Sequence, residues 1–227
     1  MADSADRFTV FIVPGLRDAV AEHWQTLLEE RLRTAGRPVA GVAPMGRDDL
    51  SCSARVDAIE RSAQSIEGPI VVVAHSGGCI MLAHWARKTM RAVRGALLAT
   101  PPDFEKPMPD GYPTVDALRA GGWLPVPRAP LPFRSIVAAS RNDPLARFDR
   151  VGEMAAAWGS RLVDLGEVGH LNPASGYGEW PGATALIEQV TAPVAASLRP
   201  GPRPSACTEP AVPSSGLTVS PNRGRVL

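Results

Sequence analysis

The chain has 227 residues with 24 basic and 23 acidic side chains, a formal net charge of +1, and this balance gives no electrostatic case for binding nucleic acid or an anionic membrane. Hydrophobic residues make up 44% and charged residues 21%, close to the globular average, which excludes wholesale disorder. Three scattered cysteines, Cys52, Cys79 and Cys207, exclude a disulfide scaffold and a cysteine-rich zinc site. No apolar run approaches the roughly 18 to 20 residues of a membrane span. The first seven residues are polar and acidic, without a basic segment leading into an apolar one, so a cytoplasmic protein is expected.

Residues 8–13 (FTVFIV) are β-branched and aromatic and end at Pro14-Gly15, which predicts a strand. Val20, Trp24, Leu27 and Leu28 then fall at i, i+4, i+7 and i+8, so residues 18–34 read as a helix with Asp18 as its N-cap. Residues 38–42 form a weak strand, and 53–66 a helix with Val56, Ile59 and Ala63 on one side. The unbroken apolar run 69–74 (PIVVVA) suits a strand buried on both faces of a parallel sheet. Residues 77–90 read as a helix and 96–100 (ALLAT) as a strand. Residues 101–132 are rich in Pro and Gly and read as an irregular excursion with one short helix near 115–120. The run 135–139 (SIVAA) is the next strand; Phe148, Val151, Ala155 and Trp158 mark a helix, 162–165 a last strand and 183–198 a last helix.

Strands alternating with helices predict an α/β fold, a three-layer sandwich around a mostly parallel sheet of about six strands. The domain is read as residues 1–198. From 199 onward prolines alternate with Gly, Ser and Arg, and too little apolar surface remains to offset ordering entropy, so 199–227 is expected to be a flexible tail. Proline-rich segments can dock in SH3-like grooves, which makes the tail a candidate contact for a protein partner, against the plainer reading of a frayed end.

In such a sheet, function sits at the carboxyl ends of the strands. Ala74-His75-Ser76-Gly77-Gly78 joins the most apolar strand to a helix, the context of the G-x-S-x-G nucleophile elbow, with Ala74 in place of the first glycine. The plainer alternative for Ser76 is a helix N-cap. A serine nucleophile needs a base, and the base an orienting group. Of the four histidines, His23 lies in the first predicted helix, His75 adjoins the serine at a turn where neighbouring side chains diverge, and His84 lies two helical turns beyond. His170 follows the last strand in a loop after Gly169, which suits a general base. Asp143 follows SIVAA directly and is the candidate acid; Asp103, after the preceding strand, competes with it, and an ordinary cap role is the alternative for Asp143. The chain order Ser76, Asp143, His170 is that of the α/β-hydrolases. A second oxyanion donor is expected after the first strand, so the amides of Leu16 and Gly77 are the candidate pair. Trp24, Trp123 and Trp180 are candidate walls of an acyl pocket, or else plain core.

The stretches Val13-Pro14-Gly15, His23-Trp24-Gln25, Ala74-His75-Ser76-Gly77-Gly78-Cys79, Asn142-Asp143-Pro144, Gly169-His170-Leu171-Asn172 and Ser175-Gly176-Tyr177-Gly178-Glu179-Trp180-Pro181 resemble the small α/β-hydrolases related to YdeN and to retinoblastoma-binding protein nine. The resemblance spans nearly all of residues 7–190 and implies a compact sheet with no large cap domain and a triad of Ser76, Asp143 and His170. The resulting expectation is a serine hydrolase acting on a small acyl substrate through an acyl-enzyme, carboxylesterase-like, without cofactor or metal. A hydrolase-fold binding protein with an idle site is the alternative, motivated by Ala74, the glycine pair and the tail.

Overall fold

The β-branched runs pair into one six-stranded, all-parallel sheet in the computed structural model, which describes residues 7–17, 20–46 and 48–192. In chain order the elements are β1 (Thr9–Val13), α1 (Trp24–Thr34), β2 (Val39–Gly41), α2 (Cys52–Gln64), β3 (Ile70–His75), α3 (Gly77–Trp85), β4 (Val93–Ala99), α4 (Val115–Ala120), β5 (Ser135–Ala139), α5 (Phe148–Ala157), β6 (Arg161–Asp164) and α6 (Gly182–Thr191), with a 3-10 turn at Pro173–Ser175 before α6. The strand order is β2-β1-β3-β4-β5-β6. The chain starts in the sheet interior at β1, steps out to β2, then returns to β3 on the other side of β1. That reversal leaves a crevice at the carboxyl ends of β1 and β3. Val13 stands beside Ala74 in the register, so the loops carrying Leu16 and Ser76 leave the sheet side by side.

Side-chain alternation divides the core in two. Phe11, Val13, Val72, Ala74, Leu98 and Val137 pack toward α2, α3 and α5. Val10, Ile12, Val71, Val73, Leu97 and Ile136 pack toward α1 and α6. With helices on both faces, all six residues of β3 are buried, which is why its sequence is continuously apolar rather than alternating. Among the described residues no second domain covers the strand ends. Residues 101–132 take that place, with α4 as their one α-helix, capped by Thr114.

Three helices depart from the periodicity. The first starts at Trp24 rather than near residue 18, because the His23 amide turns back on the Val20 carbonyl and His23 Nδ1 accepts from the Gln25 amide, capping the helix. Val20 matches the helical spacing yet lies before the helix, 36% exposed; Asp18 lies outside the described residues. The third helix ends at Trp85, where the amides of Lys88 and Thr89 converge on the Trp85 carbonyl and Met90 is left 96% exposed. The last helix starts at Gly182 and ends at Thr191. Residues 193–198 and the 199–227 segment lie outside the described residues.

Candidate active site

Ser76 sits at the corner between β3 and α3 with φ 54° and ψ −131°, a left-handed conformation that costs a non-glycine residue energy and persists only where its surroundings enforce it. The enforcement comes from close packing of glycines. A Cβ on Gly78 would stand 2.6 Å from the carbonyl oxygens of both Val13 and Pro14, so only glycine lets α3 approach the end of β1. A Cβ on Gly77 would stand 2.9 Å from Leu16 Cγ, and one on Gly15 3.1 Å from Ser76 Cβ. The glycine pair is therefore what brings the β1 loop against the serine corner, rather than a source of slack. Ala74 is fully buried between neighbouring strands. Gly77 opens α3, so its amide is among those without an intrahelical acceptor, and it adjoins Leu16.

His170 Nε2 lies 2.8 Å from Ser76 Oγ. Its Nδ1 lies 2.9 and 3.0 Å from the two carboxylate oxygens of Asp143, and both side chains are almost wholly buried, at 4% and 1% exposed. A carboxylate accepts only, so Nδ1 carries the proton and Nε2 faces the hydroxyl as an acceptor. Hydroxyl, imidazole and carboxylate thus form one hydrogen-bonded chain drawn from the ends of β3, β6 and β5. Asp143 also accepts the Leu145 amide at 2.9 Å; it is not the cap of α5, which starts at Phe148 behind Arg147.

The competing Asp103 and two other carboxylates nearby in sequence are engaged elsewhere. Asp103 pairs with Arg150 Nε at 3.1 Å, facing α5, Asp149 pairs with Arg147 in the first turn of α5, and Asp164 pairs with Arg141. His84 hydrogen-bonds the Trp123 carbonyl at 3.1 Å on the far side of α3. His23 and His75 do reach the site. Their rings are 4.6 Å apart, and the His75 ring is 5.0 Å from that of His170. Burial, with His170 close by, lowers the His23 pKa to about 4 and holds that of His75 well below the usual imidazole range. At neutral pH both are uncharged, so neither opposes a positive charge forming on His170. Among the described residues no group of three or more His, Cys, Asp or Glu side chains could hold a metal ion.

A protein-family profile described as serine hydrolase matches residues 10–189. The chain belongs to the serine hydrolase family. No curated protein matches it. The crystal structure of a YdeN-like hydrolase from Pectobacterium atrosepticum is similar at 26% identity, covering 82% of this chain and 92% of that one with a TM-score of 0.69. The ydeN gene product from B. subtilis is similar in fold at 17% identity, covering 81% and 98%, with a TM-score of 0.63. An α/β-superfamily hydrolase from Xanthomonas campestris pv. campestris follows at 17% identity, 81% and 97% coverage and a TM-score of 0.52. The fold is that of the α/β-hydrolases.

In this serine hydrolase Ser76 and His170 open into a cavity of about 660 Å³. Its walls are mostly apolar, with Leu16, Leu50, Phe104, Met108, Pro113 and Leu145 among them. From the 101–132 segment, only residues between Pro102 and Pro113 line it. Arg17 and Tyr112 meet at the cavity, the guanidinium 4.5 Å from the ring centroid and donating to the Gly111 carbonyl at 2.9 Å. The three tryptophans expected to line an acyl pocket do not. Trp24 packs edge-on against Trp180 and against His75 in the layer below the cavity. Trp123 lies behind Phe104, its indole N–H donating to the Leu50 carbonyl. Their bulk serves the core and the partly buried layer around it, and Phe104 takes the wall position.

Several positioning residues escaped the reading of the sequence. Gln25 is buried, and its side-chain amide donates to the carbonyls of Val13 (3.2 Å) and Val73 (2.9 Å), tying together the ends of β1 and β3 at the crevice. Asn142 Oδ1 accepts the Gly169 amide at 2.7 Å, and Ser175 Oγ accepts the His170 amide at 3.0 Å. The available signal was their place beside motif residues, in His23-Trp24-Gln25, Asn142-Asp143 and Ser175-Gly176.

Proposed function

We propose that the protein is a carboxylesterase-like serine hydrolase that cleaves an ester, thioester or activated amide of an apolar acyl group through an acyl-enzyme. Ser76 Oγ attacks the carbonyl carbon as its proton passes to His170 Nε2. Asp143 holds the imidazole with its proton on Nδ1 and stabilises the imidazolium. The amides of Leu16 and Gly77 receive the oxyanion, where each such donor is worth about 3 to 4 kcal/mol. Collapse breaks the bond to the leaving alcohol, thiol or amine, which takes the proton from His170. Water then attacks the acyl-enzyme, giving a proton to His170; the carboxylic acid departs and Ser76 recovers its proton.

The observation that carries this reading is the His170 ring held between Ser76 Oγ at 2.8 Å and the Asp143 carboxylate. The apolar walls support an uncharged acyl group. The test is turnover of p-nitrophenyl esters of two to eight carbons. The proposal expects hydrolysis well above the Ser76→Ala background, and turnover no greater than that background refutes it in favour of an idle-site binding protein.

A further inference from the structure

We propose that His75 is a positioning residue for His170: rooted one residue before Ser76, its ring N–H holds the backbone carbonyl of His170 and so sets the imidazole against the hydroxyl. The inference rests on the reading of His170 as the base.

The loop carrying His170 is not held by its own contacts alone. Gly169 and Leu171, on either side, have φ of 58° and 49°; glycine adopts this freely, but leucine keeps it only where neighbours over-determine it. Two amides are held by side chains, that of Gly169 by Asn142 from the loop after β5 and that of His170 by Ser175 from within the same loop. The carbonyl of His170 is tied differently. It accepts from His75 Nε2 at 2.9 Å, with Thr100 Oγ1 further off at 3.4 Å. His75 is the last residue of β3, paired with Ala99 of β4, and the Ser76 amide donates to the Ala99 carbonyl at 3.0 Å. Nucleophile and base are therefore placed from one rigid corner of the sheet.

The ring of His75 is itself fixed. It is 4% exposed and packed between the rings of His23 and His170, with Trp24 edge-on at 5.9 Å. A carbonyl can only accept, so Nε2 carries the proton, and burial keeps the ring neutral with a bare Nδ1. Packing alone would be served by any apolar side chain of similar volume, whereas holding a carbonyl needs a donor at that reach.

The test compares His75→Gln, whose amide donor reaches about as far, with His75→Asn, which is too short, and His75→Leu, which has no donor. Kinetics on a p-nitrophenyl ester are measured beside thermal unfolding. A 1 Å misplacement of a reacting group costs about 10²-fold. The Asn and Leu variants should lose kcat by about tenfold to a hundredfold with KM nearly unchanged, and the Gln variant should recover most of it. If Leu does not fold, the Gln and Asn pair carries the comparison. Gln as impaired as Asn, or Asn as active as wild type, overturns the proposal alone; a wild type without Ser76-dependent turnover overturns it together with the hydrolase reading. Independently of turnover, ¹⁵N-histidine spectra should place His75 in the neutral Nε2–H tautomer, and an Nδ1–H tautomer overturns the proposal.

Discussion

Replacing Asp143 by Asn removes one charge and almost nothing else. The amide oxygen can keep the Leu145 N–H bond now made at 2.9 Å, so the loop after β5 retains its turn. The amide group, however, faces His170 Nδ1 where a carboxylate oxygen stood at 2.9 Å. With both side chains buried, two opposite charges about 4 Å apart at an effective dielectric of about 20 attract by about 4 kcal/mol. That attraction exists only when His170 is protonated in the transition state, so its loss is expected to slow the reaction by about 10³-fold. The amide also lets the imidazole adopt the wrong tautomer, and the comparable change in serine proteases costs about 10⁴ in kcat. The assay is kcat/KM on a short p-nitrophenyl ester, with urea unfolding to check that stability moves by less than about 1 kcal/mol. A variant within tenfold of wild type, when Ser76→Ala is inactive, would refute the orienting role of Asp143.

Gly78→Ala should destabilise by about 1 to 3 kcal/mol, because its Cβ meets two backbone oxygens that cannot turn away; an unchanged urea midpoint would contradict the tight approach of α3 to β1. Stability should be full above about pH 6.5, where His23 is neutral in both folded and unfolded chains, and should fall as pH drops toward 4, because the unfolded chain takes up the proton first. His23 contributes at most about 3 kcal/mol to that fall, and His75 acts in the same direction. His23→Gln should flatten the dependence measured by urea unfolding between pH 7.5 and 4.5; an unchanged slope would place the proton uptake elsewhere. Tyr112→Ala removes the ring under Arg17 at the cavity, a contact worth about 0.5 to 1 kcal/mol. The expected result is a changed KM for longer acyl esters at nearly constant kcat and melting temperature, read from ester series kinetics.

The parts of the molecule that could be read from the chain are those governed by average burial. The run PIVVVA lacks alternation because β3 is covered on both faces, and the small residues after it mark a corner where helix and strand approach closely. That Ser76, Asp143 and His170 meet at one rim was legible because each follows a strand, and every strand in a parallel sheet ends on the same side. What was illegible depends on where a side chain points once the loops have converged. Val20 has the spacing of a helical face but precedes the cap at His23. Aromatic bulk does not say which side of a cavity wall it fills, so Phe104 lines the cavity in the place expected of Trp123, and Trp123 packs behind it. Gln25 looks like a helix surface residue until β3, 48 residues later, brings the Val73 carbonyl to its amide. His75 is the sharpest case: its neighbour in sequence turns toward the cavity, while its own ring reaches the carbonyl of a residue 95 positions away.

The most direct measurement is covalent capture of the nucleophile. Wild-type protein treated with a fluorophosphonate and digested should carry a single adduct, mapped by peptide mass spectrometry to Ser76, and Ser76→Ala should carry none. An adduct on another residue, or labelling that survives the substitution, would contradict the assignment of this serine.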